Sequence, residues 1–271
     1  MASQSALINV MQKASTYASR GMLRDFGEVE NLQVSRKGPA DFVSRADINA
    51  EKTIRKELSK ARPGWGFQLE EGGVIEASEP GAPVWVVDPL DGTTNFLHGI
   101  PHFAISIAVM EIDAQGRKTI TAGSVFDPVK NEFFYAEKGK GAFLNERRLR
   151  VSGRRSMADS LFGCGIPFLG RGSAEDHAEF QKQLGTIMSV SSGLRRNGAA
   201  ALDLAWVAAG RLDGFWEKGL SLWDIAAGVL LVREAGGFIS DFASRDKALD
   251  SGDVVAANPS IHGELIRKLR A

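Results

Sequence analysis

Two carboxylates three residues apart, Asp88 and Asp91, lie in the segment Asp88-Pro89-Leu90-Asp91-Gly92-Thr93-Thr94, directly after the run Val84-Trp85-Val86-Val87. Pro89 and Gly92 force a turn, and the turn lets the two side chains converge on one point. Hard divalent cations such as magnesium take several oxygen ligands, and two carboxylates with an intervening carbonyl, that of Leu90, meet that demand. The same residues also suit an Asx-turn followed by a helix N-cap, since Asp, Gly and Thr are common in both.

Glu70-Glu71 is a second carboxylate pair, at the end of the alternation Trp65, Phe67, Leu69. Its mutual repulsion must be relieved by a cation, a basic partner or water, and a solvated turn before Gly72-Gly73 is the ordinary alternative. Asp224 opens an otherwise apolar helix, Ile225 to Val232, and Asp47 stands near the start of another. A first-turn acid is favoured by the helix dipole alone. In combination, Glu70, Asp88, Asp91 and Asp224 supply oxygen ligands from separate elements, while one cysteine and four histidines offer no thiolate-rich zinc site. His98 and His102 are four apart, but Pro101 between them breaks any helical ligand face, so both read as loop residues near a site. Cys164 reads as a small packed residue.

These side chains need elements to carry them. Leu7, Met11, Ala14, Ala18 and Met22 recur at spacings of three and four, predicting a helix over 5–26 that stops at Gly27. Gln33 to Ala40 reads as a loop, and a second helix is predicted from about Ser44–Asp47 to Ala61, before Pro63-Gly64. Trp65–Leu69 alternates as a strand, and Val84–Val87 reads as a buried strand that stops at Asp88-Pro89. Strands over 104–110, 120–126 and 132–136, with Gly123, Asp127-Pro128, Gly139 and Gly141 as breakers, form an antiparallel meander. The second half offers helices at 174–188, 198–209 and 223–235, strands at 213–217, 238–241 and 253–257, and a final helix from about Pro259. Helices covering mixed sheets imply a layered α+β architecture rather than a doubly wound sheet. A single domain over 1–271 is expected, its halves at 1–146 and 147–271 meeting near the arginine-dense stretch Arg147–Arg155.

Composition bounds the partners. The chain has 271 residues, 44% of them hydrophobic and 24% charged, and its 33 basic residues cancel its 33 acidic ones. Without a net positive field, nucleic acid and acidic membrane surfaces are not expected partners. No apolar run approaches the roughly 18 residues of a membrane span. The start, Met1-Ala2-Ser3-Gln4-Ser5, has no basic segment leading into an apolar run, and one cysteine fits a reducing compartment, so a cytoplasmic location is expected.

The residues resemble the inositol monophosphatase family, magnesium-dependent and lithium-sensitive phosphatases. Three motifs carry the resemblance: Trp85 to Phe96, the upstream Glu70-Glu71 pair, and Leu222-Trp223-Asp224-Ile225-Ala226-Ala227-Gly228. Lys37 through Asp47 and Lys138 to Phe143 extend it over nearly the whole chain. The resemblance implies an αβαβα sandwich, usually a homodimer. It implies that Glu70, Asp88 and the Leu90 carbonyl hold one magnesium, that Asp88, Asp91 and Asp224 hold a second, and that a weaker third lies near Glu70. Thr93, paired with Asp47, would orient the attacking water. The amides of Gly92, Thr93 and Thr94 would hold phosphate oxygens at a helix start, as helix-terminus physics also favours. Arg195 to Asp203 resembles the family's substrate segment, with Gly198, Ala199 and Ala200 where a helix opens beside the substrate's ring, and Glu217 matches the acceptor of a substrate hydroxyl. Ala199 replaces a frequent Thr or Ser, leaving only backbone contact there, and Leu69 stands where a glycine often precedes the paired glutamates.

The implied chemistry is a two-metal attack of water on a small phosphorylated polyol, myo-inositol monophosphate, without a covalent phosphoenzyme. Histidinol phosphate, fructose 1,6-bisphosphate and a 3′-phosphonucleotide are alternative substrates for the same chemistry. A different class of reading makes the chain a binding partner of RNA or the transcription apparatus through Arg147-Arg148-Leu149-Arg150 and Arg154-Arg155, although no aromatic platform for bases accompanies them.

Overall fold

Helix α1 (Ala6–Phe26) buries Ile8, Met11, Ala14, Ala18 and Met22, the stripe expected from their spacing, and the Ser5 side chain caps it by accepting from the Ile8 amide at 3.2 Å. A hairpin of β1 (Val34–Gly38) and β2 (Asp41–Ser44) leads into α2 (Arg45–Ala61), which buries Ala46, Ala50, Ile54 and Leu58. The computed structural model describes residues 4–28, 45–167, 170 and 172–271, together with the backbone of 34–38 and 41–44. The expected loop over Gln33–Ala40 is therefore corrected at Val34–Gly38, where the backbone pairs as a strand; Gln33, Pro39 and Ala40 lie outside the described residues, as do Met1, Ala2 and Ser3.

An eight-stranded sheet follows: β3 (Gly66–Leu69), β4 (Gly73–Ile75), β5 (Val84–Asp91), β6 (Ala104–Ile112), β7 (Lys118–Asp127), β8 (Glu132–Glu137), β9 (Gly141–Leu144) and β10 (Arg147–Arg148). Their order is β10-β9-β8-β7-β6-β5-β3-β4, with only β3 and β5 parallel. The short helix α3 (Thr93–Leu97) leaves the end of β5. The smaller sheet contains β11 (Leu161–Cys164), β12 (Gly193–Arg195), β13 (Gly214–Glu217), β14 (Phe238–Ser240) and β15 (Val254–Ala257), in the order β12-β11-β13-β15-β14. The remaining helices are α4 (Ala174–Met188), α5 (Ala200–Ala208), α6 (Leu222–Glu234), α7 (Ala248–Ser251) and α8 (His262–Arg270). Among the described residues no helix is long and apolar enough to cross a membrane.

Three separate cores define the layers. Trp85, Val87, Ile105, Ile107 and Val109 pack with α1 and α2 on one face of the large sheet. Val86, Ala108 and Val125 on its other face meet α5 and α6, which also cover Phe215, Val254 and Ala256 of the small sheet. Phe162, Trp216, Val255 and Ala257 pack outward against α8 and Ile187 of α4. The result is an αβαβα sandwich. Because both faces of β5 are covered, its apolar residues run continuously instead of alternating with polar ones.

The sequence reading ends β5 at Val87, whereas the strand continues to Asp91 through a register shift: Asp88 pairs with Ser106, and Asp91 pairs with Ala104. Two residues on β5, Pro89 and Leu90, thus stand opposite one on β6, Ile105, the signature of a bulge. In a regular strand, positions three apart point to opposite faces. The extra residue at Pro89 and Leu90 restores parity, so Leu90 packs with Trp85 and Val87 while Asp88 and Asp91 both turn toward the cleft beside α5 and α6. Pro89 is tolerated because the ladder is interrupted there.

Helix α6 is held close to the large sheet by missing side chains. A Cβ on Gly123 of β7 would lie 2.9 Å from the Ala227 Cα, and one on Gly228 would lie 2.5 Å from Leu204 of α5. The Ser106 hydroxyl donates to the Trp223 carbonyl at 3.1 Å, fixing the start of α6 next to Asp224. Gly123→Val is expected to destabilise the fold by about 1–3 kcal/mol through overpacking, read by urea denaturation. An unchanged denaturation midpoint would show that α6 does not depend on this close approach.

Candidate active site

The cleft forms where β5 ends and where α3, α5 and α6 begin. Glu70, Asp88, Leu90, Asp91, Gly92, Thr93, Thr94, Gly198, Ala200, Glu217 and Asp224 line it together, so most of the residues singled out in the sequence meet in space. Asp47 and Ala199 stand apart from its lining. Asp47 is 1% exposed and is reached through Thr93, whose hydroxyl lies 3.3 Å from Asp47 Oδ2 and 3.0 Å from the Leu90 carbonyl. Ala199 is buried and presses its methyl toward Gly92.

Asp88, Asp91 and Asp224 are each anchored by backbone amides. Asp88 Oδ1 accepts from the Leu90 amide at 2.9 Å, the Asx-type contact that the sequence allowed. Asp91 accepts from the Ala200 and Ala201 amides at 3.2 and 2.7 Å, seating it on the first turn of α5. Asp224 Oδ2 accepts from the Ser221 amide at 2.8 Å, a capping contact at the start of α6. The turn carrying Glu70 and Glu71 is held by the Glu71 amide donating to Glu51 Oε2 of α2 at 2.8 Å and by the Glu70 amide donating to the Val87 carbonyl. Gly92 caps α3 at φ 95°, and a Cβ there would lie 3.0 Å from the His102 carbonyl, so only glycine fits. Asn95 ties this turn to the opposite wall by donating to the carbonyls of His102 and Asn197, both at 2.8 Å.

The electrostatics fit a cation. Burial raises the Asp88 carboxyl well above its ordinary range, and Glu70, Asp91, Asp224 and Asp47 add like-charge repulsion. Burial likewise raises Asp91, with Asp224, Asp203 and Glu217 adding to it and the Ala201 amide opposing it. Oxygen atoms of Asp47, Glu70 and Glu71 lie within 4.8 Å of one another, close enough to share an ion. An all-oxygen set of crowded carboxylates suits a hard divalent metal and offers nothing to a soft one.

Cys164, Gly165, Arg196, Asp203 and Leu220 also line the cleft; Arg196 and Asp203 belong to the segment that resembles the family's substrate segment, without an individual contact expected of either, and the other three are not singled out by the sequence as site residues. Asp203 lies one turn into α5, where burial pushes it up to about 7 against the opposing pull of a 2.6 Å hydrogen bond from Asn197 and of the Arg196 charge. Its signal was an acid inside an alanine-rich helix face. Burial, followed by the charges of Asp203 and Glu217, pushes the Cys164 thiol up to about 12, as befits a packed rather than a nucleophilic sulfur. His98 and His102 do not line the cleft; the His102 ring meets Trp206 edge-on at 5.1 Å.

The model of the inositol monophosphatase family matches residues 3–271. A protein of Mesorhizobium japonicum named inositol-1-monophosphatase is 56% identical over 267 residues, covering 98% of this chain and 97% of its own. A Pseudomonas aeruginosa protein named Nus factor SuhB is 45% identical, covering 97% of this chain and 96% of its own. The crystal structure of extragenic suppressor protein suhB from Bartonella henselae superposes with a TM-score of 0.91 at 50% identity, covering 98% of this chain and 99% of that one. The chain belongs to the inositol monophosphatase family. That is a family of metal-dependent phosphatases acting on small phosphorylated substrates.

The raised carboxyls fix the sign of a pH effect. Between the ordinary carboxylate pKa of about 4 and the raised folded values, the metal-free fold binds more protons than the unfolded chain, so its stability falls as pH rises through that window. A divalent cation needs the ionised groups and displaces those protons. Its stabilisation, about 2.7 kcal/mol at a hundredfold excess over Kd, is therefore expected to be larger at pH 8 than at pH 5.5 by differential scanning fluorimetry. A shift independent of pH would count against binding by these carboxylates.

Proposed function

We propose that the protein is a magnesium-dependent phosphomonoesterase that hydrolyses myo-inositol monophosphate to inositol and phosphate. The observation that carries this reading is the convergence of buried Asp88 and Asp91 with Glu70 and Asp224 around one cleft bordered by helix N-termini. Glu70, Asp88 and the Leu90 carbonyl would hold one magnesium, Asp88, Asp91 and Asp224 a second, and the Glu70 region a weaker third. When bound, the ions neutralise charge on the ester and lower the pKa of water.

The chain's own groups do the rest. Thr93 Oγ1, held at the Asp47 carboxylate and the Leu90 carbonyl, orients a water by accepting a hydrogen bond from it. The amides of Gly92, Thr93 and Thr94 face phosphate oxygens at a helix start, where the peptide dipoles favour an anion. Gly198, Ala199 and Ala200 supply backbone beside the leaving alcohol, and Glu217 accepts from its hydroxyls. The reading includes a homodimer in the cytoplasm.

Asp88→Asn keeps the acceptor for the Leu90 amide but removes the charge shared by both ion sites. Turnover of inositol 1-phosphate is expected to fall by about 10³-fold or more, while the metal-free melting temperature does not fall, since like-charge repulsion is relieved. Near-normal turnover would sink the assignment. A panel of inositol 1-phosphate, histidinol phosphate, fructose 1,6-bisphosphate and 3′-phosphoadenosine 5′-phosphate, with magnesium, EDTA or lithium, tests the substrate and expects inositol phosphate to lead.

A second reading, association with RNA or the transcription apparatus, is favoured by the Nus factor name of the Pseudomonas aeruginosa relative and by exposed Arg147, Arg148, Arg150, Arg154 and Arg155. Salt-sensitive RNA binding that survives Asp88→Asn would support it as a separate function.

A further inference from the structure

Strand register sets Gly165 beside Glu217. Cys164 pairs with Trp216 in the parallel β11–β13 ladder, and the Gly165 amide donates to the Trp216 carbonyl at 3.0 Å, so the next residues along, Gly165 and Glu217, are neighbours across the sheet. The Glu217 side chain occupies the space above the bare Gly165 Cα. A Cβ at Gly165 would lie 1.8 Å from Glu217 Cδ and 2.0 and 2.2 Å from its two carboxylate oxygens. No other glycine in the described chain meets a side-chain carboxylate this closely.

The overlap falls on the far end of a flexible side chain, not on backbone. Relief therefore comes from moving the carboxylate rather than from deforming the sheet. There is room for that movement, because Gly165 and Glu217 also border a second cavity of about 610 Å³, walled by Phe180, Trp216, Lys218 and Phe242. The same two residues line the active-site cleft. Glu217 thus stands where the two spaces meet, and Gly165 decides on which side its carboxylate rests.

The geometry points to Gly165 as a specificity-determining residue: its missing side chain lets the Glu217 carboxylate rest in the cleft, where it selects leaving alcohols that bear hydroxyl groups. This inference rests on the proposed role of Glu217 toward a polyol phosphate and adds the position that enforces it. An aryl phosphate ester carries no hydroxyl for the carboxylate to read. Gly165 acts through Glu217, so it is a positioning residue and its effect must vanish when Glu217 is gone.

The test is a double-mutant cycle with Gly165→Ala, Glu217→Ala and the double variant, comparing kcat/KM for inositol 1-phosphate with that for p-nitrophenyl phosphate in magnesium. Gly165→Ala is expected to lower the ratio by about ten- to hundred-fold, the range for losing a charge-assisted hydrogen bond, mainly by raising KM for the polyol ester. In the Glu217→Ala background the same substitution is expected to cost nothing further. Glu217→Asp, which retracts the carboxylate without adding an atom at Gly165, should reproduce the loss and keeps the test open if Gly165→Ala does not fold. Additive losses, or an unchanged ratio in both Gly165→Ala and Glu217→Asp, would overturn the assignment. Wild-type turnover of p-nitrophenyl phosphate without turnover of the inositol ester would instead overturn the substrate reading, and this inference with it.

Discussion

Like charges confined in a poorly solvated space repel, and Asp88 and Asp91 are 2% and 8% exposed with Glu70, Asp224 and Asp47 acting on one or both of them. Such a cluster is a liability to the fold, because buried carboxylates are tolerated only when hydrogen-bonded, protonated or paired with positive charge. Much of the surrounding structure limits that liability. The amides of Leu90, Ala200, Ala201 and Ser221 each donate to a carboxylate, so the partial positive ends of α5 and α6 face the acids. The amides offset only part of the repulsion, since the Asp88 and Asp91 carboxyls remain raised. The residual field is what would give a divalent cation its hold.

The bulge in β5 is the local device that makes the cluster possible. Were β5 a regular strand from Asp88 to Asp91, the two side chains would point to opposite faces and one of them would enter the apolar layer under α1 and α2, beside Val87. Its position is fixed from both sides, by the β5–β6 register before it and by the sharp cap at Gly92 after it. Asp224 must then approach from a different element, and the close contact of Gly123 with Ala227 brings α6 near enough to deliver it. Backbone irregularity here is what re-aims a side chain at a site.

The elements with strong periodicity were legible in the sequence. The stripes of α1 and α2, the meander of β6 to β8, and α4 to within a residue at each end follow from patterns that local physics enforces. What was not legible depended on tertiary pairing. β4, β9, β10 and β12 are two to four residues long, too short to show a period, and exist through partners distant in sequence or across tight turns. The final helix starts at His262 rather than near Pro259, because the Asn258 side chain and carbonyl first organise a turn through Ser260, Ile261 and His262. For the site, acids next to Pro and Gly at a strand end stand out in one dimension, so Asp88, Asp91 and Glu70 could be singled out. Gly165 and Asp203 could not, since a glycine after a short strand and an acid in an alanine-rich helix acquire meaning only from the residue across the sheet or the charge across the cleft.

The two sheets contribute unequally to the cleft, and the division has a physical basis. Glu70, Asp88, Asp91 and Thr93 come from the large sheet and the helix that leaves it, a region rigidified by cores on both of its faces. Gly165 and Glu217 come from the small sheet, while Arg196 and Asp203 come from the segment and helix that pack against it. Under the proposed function, groups that would hold metal and phosphate gain from rigidity, because electrostatic stabilisation depends on preorganised distances. Groups that would recognise the leaving alcohol tolerate small displacements, since a hydroxyl can rotate to meet an acceptor. Helices α5 and α6 pack on both sheets, so one shared core holds the acids of the large sheet in register with the small-sheet wall of the cleft, and under the proposed function a change confined to the small sheet would alter substrate choice without dismantling the acids on the large one.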